Sequence, residues 1–239
     1  MKINISDSKQ QTARLFSEYL VNLISNNVFL HIALSGGSTP KEVFKELAAE
    51  FEDAVDWSKV QFYWGDERCV QPENSQSNYK MANELLFSKL EIPLYHIHRI
   101  KGENEPVEEA TRYARLLGKQ LPVFREKPQF DLVILGLGDD GHTASIFPDQ
   151  IDLWNSSAYC EVAEHPETGQ KRITLTGNII NNAKEVAFLV TGANKAQKVL
   201  EVVERRGNYT AYPASLVNPD SGRLNWFLDQ EASKLLTQF

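Results

Sequence analysis

Several features are scarce in this chain. It holds two cysteines in 239 residues, Cys69 and Cys160, without C-x-x-C spacing. A disulfide framework, a cysteine-rich zinc site and a dithiol redox motif are therefore not expected, and a reducing, cytoplasmic setting is. No apolar run approaches the roughly 18 residues of a membrane span. The start MKINISDSKQ lacks the basic and apolar regions of an export signal. Positive charge is in the minority: 25 Lys and Arg against 32 Asp and Glu leave a formal net charge of −7. That balance argues against a nucleic-acid binder, which needs a basic field, but leaves room for a small anion held by locally clustered cations. Internal repeats, low-complexity tracts and long linkers are also missing. The expected partner is a small molecule, with no nucleic acid and no membrane, and the protein is expected to be a monomer or small homo-oligomer.

What is present is enough apolar residue, 42%, to bury one core, and a single domain over 1–239 is expected. Apolar, β-branched runs occur at 28–34, 60–64, 94–100, 131–137, 172–176 and 185–190. Several are continuously apolar, as strands covered on both faces are. Helical patterns lie between them at 8–25, 40–51, 78–90, 105–120, 193–205 and 229–237. Strand then helix, repeated, predicts an α/β fold: an open, mostly parallel twisted sheet with helices on both faces, a Rossmann-like three-layer arrangement. In such a sheet ligands bind beyond the carboxyl ends of the strands, so the residues after each apolar run come under scrutiny.

Three of those ends stand out. In ALSGGSTPKEVF, residues 33–44, Ser35, Gly36, Gly37, Ser38 and Thr39 lead into a helix, with Thr39 as the expected N-cap and Pro40 at the first helical position. Free amides and hydroxyls there suit a phosphate. The G-x-x-x-x-G-K-[ST] pattern is absent, so it is no P-loop. A rival reading takes Ser35 as a nucleophile in a relaxed G-x-S-x-G elbow with His142 as base, but the elbow is loose at its first position and no partner Asp declares itself.

The second end, YWGDERCV, carries Asp66, Glu67 and Arg68. An acid there can bind sugar hydroxyls or move a proton, and an Arg can hold an anion. The third, LGLGDDGHTASIF, has Gly136, Gly138 and Gly141 in G-x-G-x-x-G register. Asp139 and Asp140 occupy the variable positions, where a pyrophosphate would approach, and no second strand ends in a ribose-binding acid at the right distance. The glycines are read instead as a tight turn that delivers His142 to the rim of the sheet. His142 is expected at the opening of a helix, where the N-terminal dipole disfavours the imidazolium, while Asp139 or Asp140 orients the ring. Arg172 and Lys195 could complete a local cationic site. His96 and His98 share a face but lack a third ligand, so no metal is expected.

Together LSGGSTP, WGDERCV with SNY, LGLGDDGHTASIFP, RITLT, VTGANKAQKV and PASLV through WFLD, in that order and over nearly the whole chain, resemble the 6-phosphogluconolactonase family, within the group of glucosamine-6-phosphate isomerase-like proteins. The resemblance implies hydrolysis of 6-phospho-D-glucono-1,5-lactone without metal, nucleotide or other cofactor. It also implies His142 as general base, the Ser-Gly-Gly loop with Arg172 and Lys195 around the phosphate, and Asp66 and Arg68 facing the sugar acid. Asp140 and Gly141 are included as substrate-binding candidates, and the oxyanion donor is left between amides near Gly141 and the Arg68 side chain. Two alternatives accompany it. A glucosamine-6-phosphate isomerase/deaminase would carry a Glu after the His, where HTASIFPD has none. A non-catalytic sugar-phosphate sensor would have no use for a poised His.

Overall fold

The computed structural model describes residues 1–237; residues 238 and 239, the last two of the expected domain, lie outside it. In chain order it contains β1 (Lys2–Ser6), α1 (Lys9–Ser25), β2 (Leu30–Leu34), α2 (Ser38–Glu50), β3 (Val60–Trp64), β4 (Asp66–Arg68), α3 (Asn78–Ala82), α4 (Pro106–Gln120), a short hairpin of β5 (Val123–Phe124) and β6 (Lys127–Pro128), β7 (Leu132–Leu135), β8 (Cys160–Glu164), β9 (Lys171–Leu175), α5 (Gly177–Ile180), β10 (Glu185–Val190), α6 (Ala196–Val203), β11 (Leu224–Asp229) and α7 (Gln230–Ser233). The main sheet has six strands in the order β1-β11-β10-β7-β2-β3, every pairing parallel. All four residues of β7 are buried, as are five of the six in β10. Burial on both faces is why these segments read as unbroken apolar runs.

A second sheet, β4-β9-β8, is antiparallel and sits beside the carboxyl end of β3. The run 172–176 therefore forms a strand as expected, but in this smaller sheet rather than the parallel one. Its register sets Asp66 opposite Thr174 and Arg68 opposite Arg172.

Several expected boundaries shift. Residues 94–100 are not a strand. Leu94–His96 is a single 3₁₀ turn after Pro93, and Ile97 makes one isolated bridge to Phe62. Leu94 is 84% exposed and Tyr95 76%, so the apolar run does not face a core. The helix over 78–90 changes pitch at Asn83, where Asn83–Phe87 forms a π turn. The segment 193–205 opens with the 3₁₀ turn Ala193–Lys195 before α6, and only Gln230–Ser233 is helical in 229–237. The edge strand β1, β11 and β8 had no sequence expectation. β1 buries little, and β11 opens with the half-buried pair Leu224 and Asn225.

The chain's helices cover this framework: α1 packs on α2 and β11, and α4 on β8 and β9. Phe188 stacks on Trp226 with centroids 4.0 Å apart, locking β10 to β11. No helix among the described residues is long and apolar enough to cross a membrane.

The two histidines considered for a metal have structural company. His98 stacks on Tyr63 at 4.6 Å and its Nε2 lies 2.6 Å from Gln61 Oε1. Burial lowers the His98 imidazole to about 4, with His31 and His96 adding to the effect. In the unfolded chain a histidine titrates near ~6.5. Between those values the unfolded state binds a proton that the native state refuses, so stability falls as pH drops from about 6.5 towards 4. His98→Phe, which keeps the stack, is expected to lose less stability than the parent over that interval, read as the urea midpoint at pH 7 and pH 4.5.

Candidate active site

The connections of the main sheet diverge between β2 and β7. From β2 the chain passes to β3 on one side, then returns across β2 to add β7, β10 and β11 on the other. A crevice at the carboxyl ends of the two strands flanking this point is the geometric consequence. A cleft of about 290 Å³ lies there, at the lower end of small-molecule sites. It is lined by the loops after β2, β3, β7 and β10, joined by β9 from the smaller sheet.

The loop after β2 supplies Ser35, Gly36, Gly37, Ser38 and Thr39 to the lining. Its capping differs from expectation: the helix begins at Ser38 with Gly37 as N-cap, and no side chain caps it. Thr39 is already inside the first turn. It is buried, and its Oγ1 lies 2.8 Å from Thr191 Oγ1 after β10. The first amides of this 13-residue helix therefore carry no side-chain cap and face the cleft region. Gly36 permits a close approach, since a Cβ there would collide with the carboxamide of Asn78. Ser35 Oγ donates to the Gly36 carbonyl at 3.3 Å and is paired with no base among the described residues, so nothing activates it as a nucleophile.

The turn after β7 places His142. Thr143 Oγ1 donates to the Gly136 carbonyl at 2.9 Å, and Gly138 N donates to the His142 carbonyl at 2.9 Å, closing the loop on itself. His142 does not open a helix. Thr143 bridges Ile146, Ala144 takes φ +49°, and the next helical turn starts at Pro148. Ser145 and Ile146 are buried beneath this turn, and their burial draws the chain inward in place of a helix. The ring is oriented by Asp140, whose Oδ1 lies 2.6 Å from Nδ1 and also accepts the His142 amide at 3.0 Å. Burial pushes the Asp140 carboxyl up, but its hydrogen bonds to His142 and the charge of that ring outweigh this and hold it at about 2. An ionised carboxylate can only accept, so Nδ1 carries a proton, and in the neutral form of the ring the lone pair lies on Nε2. Asp139 turns away to Lys195 Nζ at 2.5 Å and to the Asn194 amide at 3.0 Å.

Two guanidiniums converge on the cleft. Arg68 Nη1 donates to the Gln76 carbonyl at 2.5 Å, and Arg172 lies over the Phe147 ring at 5.4 Å. Neither makes an ion pair among the described residues, and the Nε of each is buried without a partner. Burial and the neighbouring Arg68 both lower the Arg172 guanidinium, against a smaller opposing pull from Asp66. Phe147 also packs on the His142 ring at 4.7 Å, so one aromatic side chain spaces the imidazole from the cation. Asp66 is buried and accepts from Ser145 Oγ at 2.6 Å.

Of the residues singled out from sequence, Ser35, Gly36, Gly37, Ser38, Thr39, Asp66, Arg68, His142, Arg172 and Lys195 line the cleft together. Asp140 and Gly141 do not; Asp140 holds the ring, and Gly141 donates to the Gly138 carbonyl and accepts from the Ala214 amide. Arg172, which a surface role would leave solvated, is buried. Asn78 was missed: it lines the cleft and donates from Nδ2 to the Asp66 carbonyl at 3.0 Å. Its signal was the SNY triplet, in which Ser77 caps α3 and sets Asn78 as the first helical residue. Glu67 was noted without a role. It is buried and accepts from the amides of Arg68, Asn78 and Tyr79 at 2.8 Å each and from Ser77 Oγ at 3.0 Å, which ties the 68–79 loop to β4.

A polar, cationic cleft at the divergence point of a parallel α/β sheet, with an oriented histidine at its rim, defines a binding site for a phosphorylated small molecule. The family comparison narrows this class. The family model described as glucosamine-6-phosphate isomerases/6-phosphogluconolactonase matches residues 4–226, and the chain belongs to that family. It is 43% identical to the 6-phosphogluconolactonase of Treponema pallidum over 80% of this chain and 81% of the relative. It is 42% identical to that of Haemophilus influenzae over 87% and 88%. The solved structure of 6-phosphogluconolactonase from Trypanosoma brucei superposes with a TM-score of 0.87 at 29% identity, covering 99% of this chain and 98% of the other.

Gly141 takes φ +89°, and a Cβ there would strike the Tyr212 ring. Gly141→Ala is expected to lower stability by about 2 kcal/mol or more, from backbone strain and the clash together, measured by urea unfolding.

Proposed function

We propose that this chain is a 6-phosphogluconolactonase, acting in the cytoplasm as a single catalytic domain that hydrolyses 6-phospho-D-glucono-1,5-lactone to 6-phospho-D-gluconate. The observation that carries the reading is one cleft containing both an imidazole whose Nδ1 is held by an ionised Asp140 and two guanidiniums without carboxylate partners. The names of relatives at 42–43% identity point to the same reaction.

A δ-lactone is an activated ester, so its hydrolysis needs a proton taken and a proton returned. Nε2 of His142 removes a proton from water as the water oxygen bonds to C1. The tetrahedral intermediate then expels the ring oxygen, breaking the C1–O bond, and the imidazolium returns its proton to that oxygen. Proton transfer by one positioned group contributes roughly 10²- to 10⁴-fold. The carboxylate of Asp140 keeps the tautomer with Nε2 free and stabilises the imidazolium that forms.

The phosphate is assigned to the Ser35–Thr39 turn with Arg172 and Lys195, where uncapped helix amides, hydroxyls and cations meet. Asp66 and Arg68 are assigned to the sugar acid. Anchoring the phosphoryl end fixes C1 against the water. Arg68, which lines the cleft without a carboxylate partner, is assigned as a donor to the developing oxyanion.

His142→Ala is expected to cut kcat a hundredfold or more with the fold intact, and Asp140→Asn to cut it at least tenfold by releasing the ring. Arg172→Ala should chiefly raise KM. A continuous assay corrected for spontaneous lactone opening checks all three, and chelators should leave the rate unchanged. Unchanged kcat in His142→Ala would overturn the assignment of the base.

A further inference from the structure

Arg172 and Asp66 are oppositely charged, both buried, and carried two residues apart on the facing strands β4 and β9. Such a pair ordinarily closes into a direct, charge-assisted contact, the strongest arrangement open to a buried guanidinium and carboxylate. Here it does not: no ion pair within 4.0 Å joins them. Between them stands Ser145, which is fully buried. Its hydroxyl donates to Asp66 Oδ2 at 2.6 Å and accepts from Arg172 Nη1 at 3.5 Å, at the limit of a hydrogen bond. Ser145 is itself pinned, since its amide donates to Thr174 Oγ1 at 3.2 Å on β9, and the left-handed Ala144 before it turns the chain into this position.

We infer that Ser145 is a positioning residue that holds Asp66 and Arg172 apart, so that the guanidinium is not neutralised inside the protein and remains available to the anionic group of the substrate. The inference rests on the lactonase reading for the identity of that substrate, but not for the electrostatics. A hydroxyl has one proton. Given to Asp66, it satisfies one carboxylate lone pair that Arg172 would otherwise claim, and the oxygen it leaves facing Arg172 is a weak, neutral acceptor. The cation is therefore kept in a desolvated setting with its Nε unpartnered. An anion reaching it replaces no existing ion pair, so little of the gain on binding is spent on breaking one. The same bridge ties the turn that carries His142 to the strand that carries Asp66, so base and cation share one support.

Removal of the spacer should let the pair close. Ser145→Ala is expected to raise KM for 6-phosphogluconolactone at least tenfold, a larger change than any in kcat, and to weaken binding of inorganic phosphate, measured by calorimetry, by a similar factor. Ser145→Cys keeps the volume with a weaker donor and should move both quantities the same way by a smaller factor, which preserves the test if the alanine variant does not fold. The decisive arm is charge removal. In the Ser145→Ala background Asp66→Asn should restore phosphate affinity to within threefold of Asp66→Asn alone, because no carboxylate remains to capture the guanidinium. A merely structural Ser145 would not be rescued by that second substitution. Phosphate affinity unchanged in both Ser145 variants, or a loss that Asp66→Asn fails to repair, would overturn the inference. Because phosphate binding is read without turnover, a parent protein that binds phosphate but leaves the lactone untouched would sink the lactonase reading alone.

Discussion

The electrostatics of the cleft depend on two like charges forced together. The three-residue pairing of β4 with β9 sets Arg68 directly across from Arg172, an arrangement that destabilises a sheet unless something of opposite sign intervenes. The carboxylates nearby are committed elsewhere. Glu67 is consumed by backbone amides and Ser77, and Asp66 by Ser145. Burying a guanidinium costs free energy that an internal partner would offset, and here none is offered. A chain of net charge −7 thus keeps a small positive enclosure, and under the proposed function the substrate supplies the missing counter-charge. An unpaired buried cation lowers stability at this place, the trade a functional site accepts.

The sheet supplies the other half of the site by topology. Diverging connections open a gap between neighbouring strand ends without any loop having to be long. The loop after β2 brings uncapped amides, the turn after β7 brings an oriented imidazole, and the loop after β10 brings Lys195. Phe147 keeps the last element of spacing, with His142 packed against its ring and the Arg172 guanidinium over it. The imidazole and the cations are therefore placed by different layers of the fold and linked by one aromatic residue and one buried serine.

Much of this was legible in the sequence, and the boundary between legible and hidden has a physical cause. Strands β2, β3, β7 and β10 announce themselves because both faces are covered, so nearly every residue must be apolar. Residues 94–100 imitate that signal, yet Leu94 and Tyr95 point to solvent, and composition alone carries no information about which way a side chain faces. The turn bearing His142 and the serine-glycine loop were readable because glycine and hydroxyl spacing is a local property. The helix expected after His142 was wrong for the complementary reason: burial of Ser145 and Ile146 is a tertiary demand that overrides a helical pattern. The placement of Arg172, the division of labour between Asp139 and Asp140, and the parts played by Asn78 and Ser145 all arise from register between distant segments. A single chain read in order does not display such register.

That dependence on register has a bearing on how the molecule comes into being. The strands that carry Arg68 and Arg172 meet across roughly a hundred intervening residues, and closing so long a loop must be completed before any local contact can reward it. The β2·β7 pairing that opens the cleft closes a loop of similar length, and β1 joins β11 across most of the chain, so the cleft is complete only once the most distant segments have met. The turn at His142, by contrast, closes on itself through local hydrogen bonds and needs no such distant meeting. A ligand that binds only the completed cleft adds to the stability of the finished state by mass action.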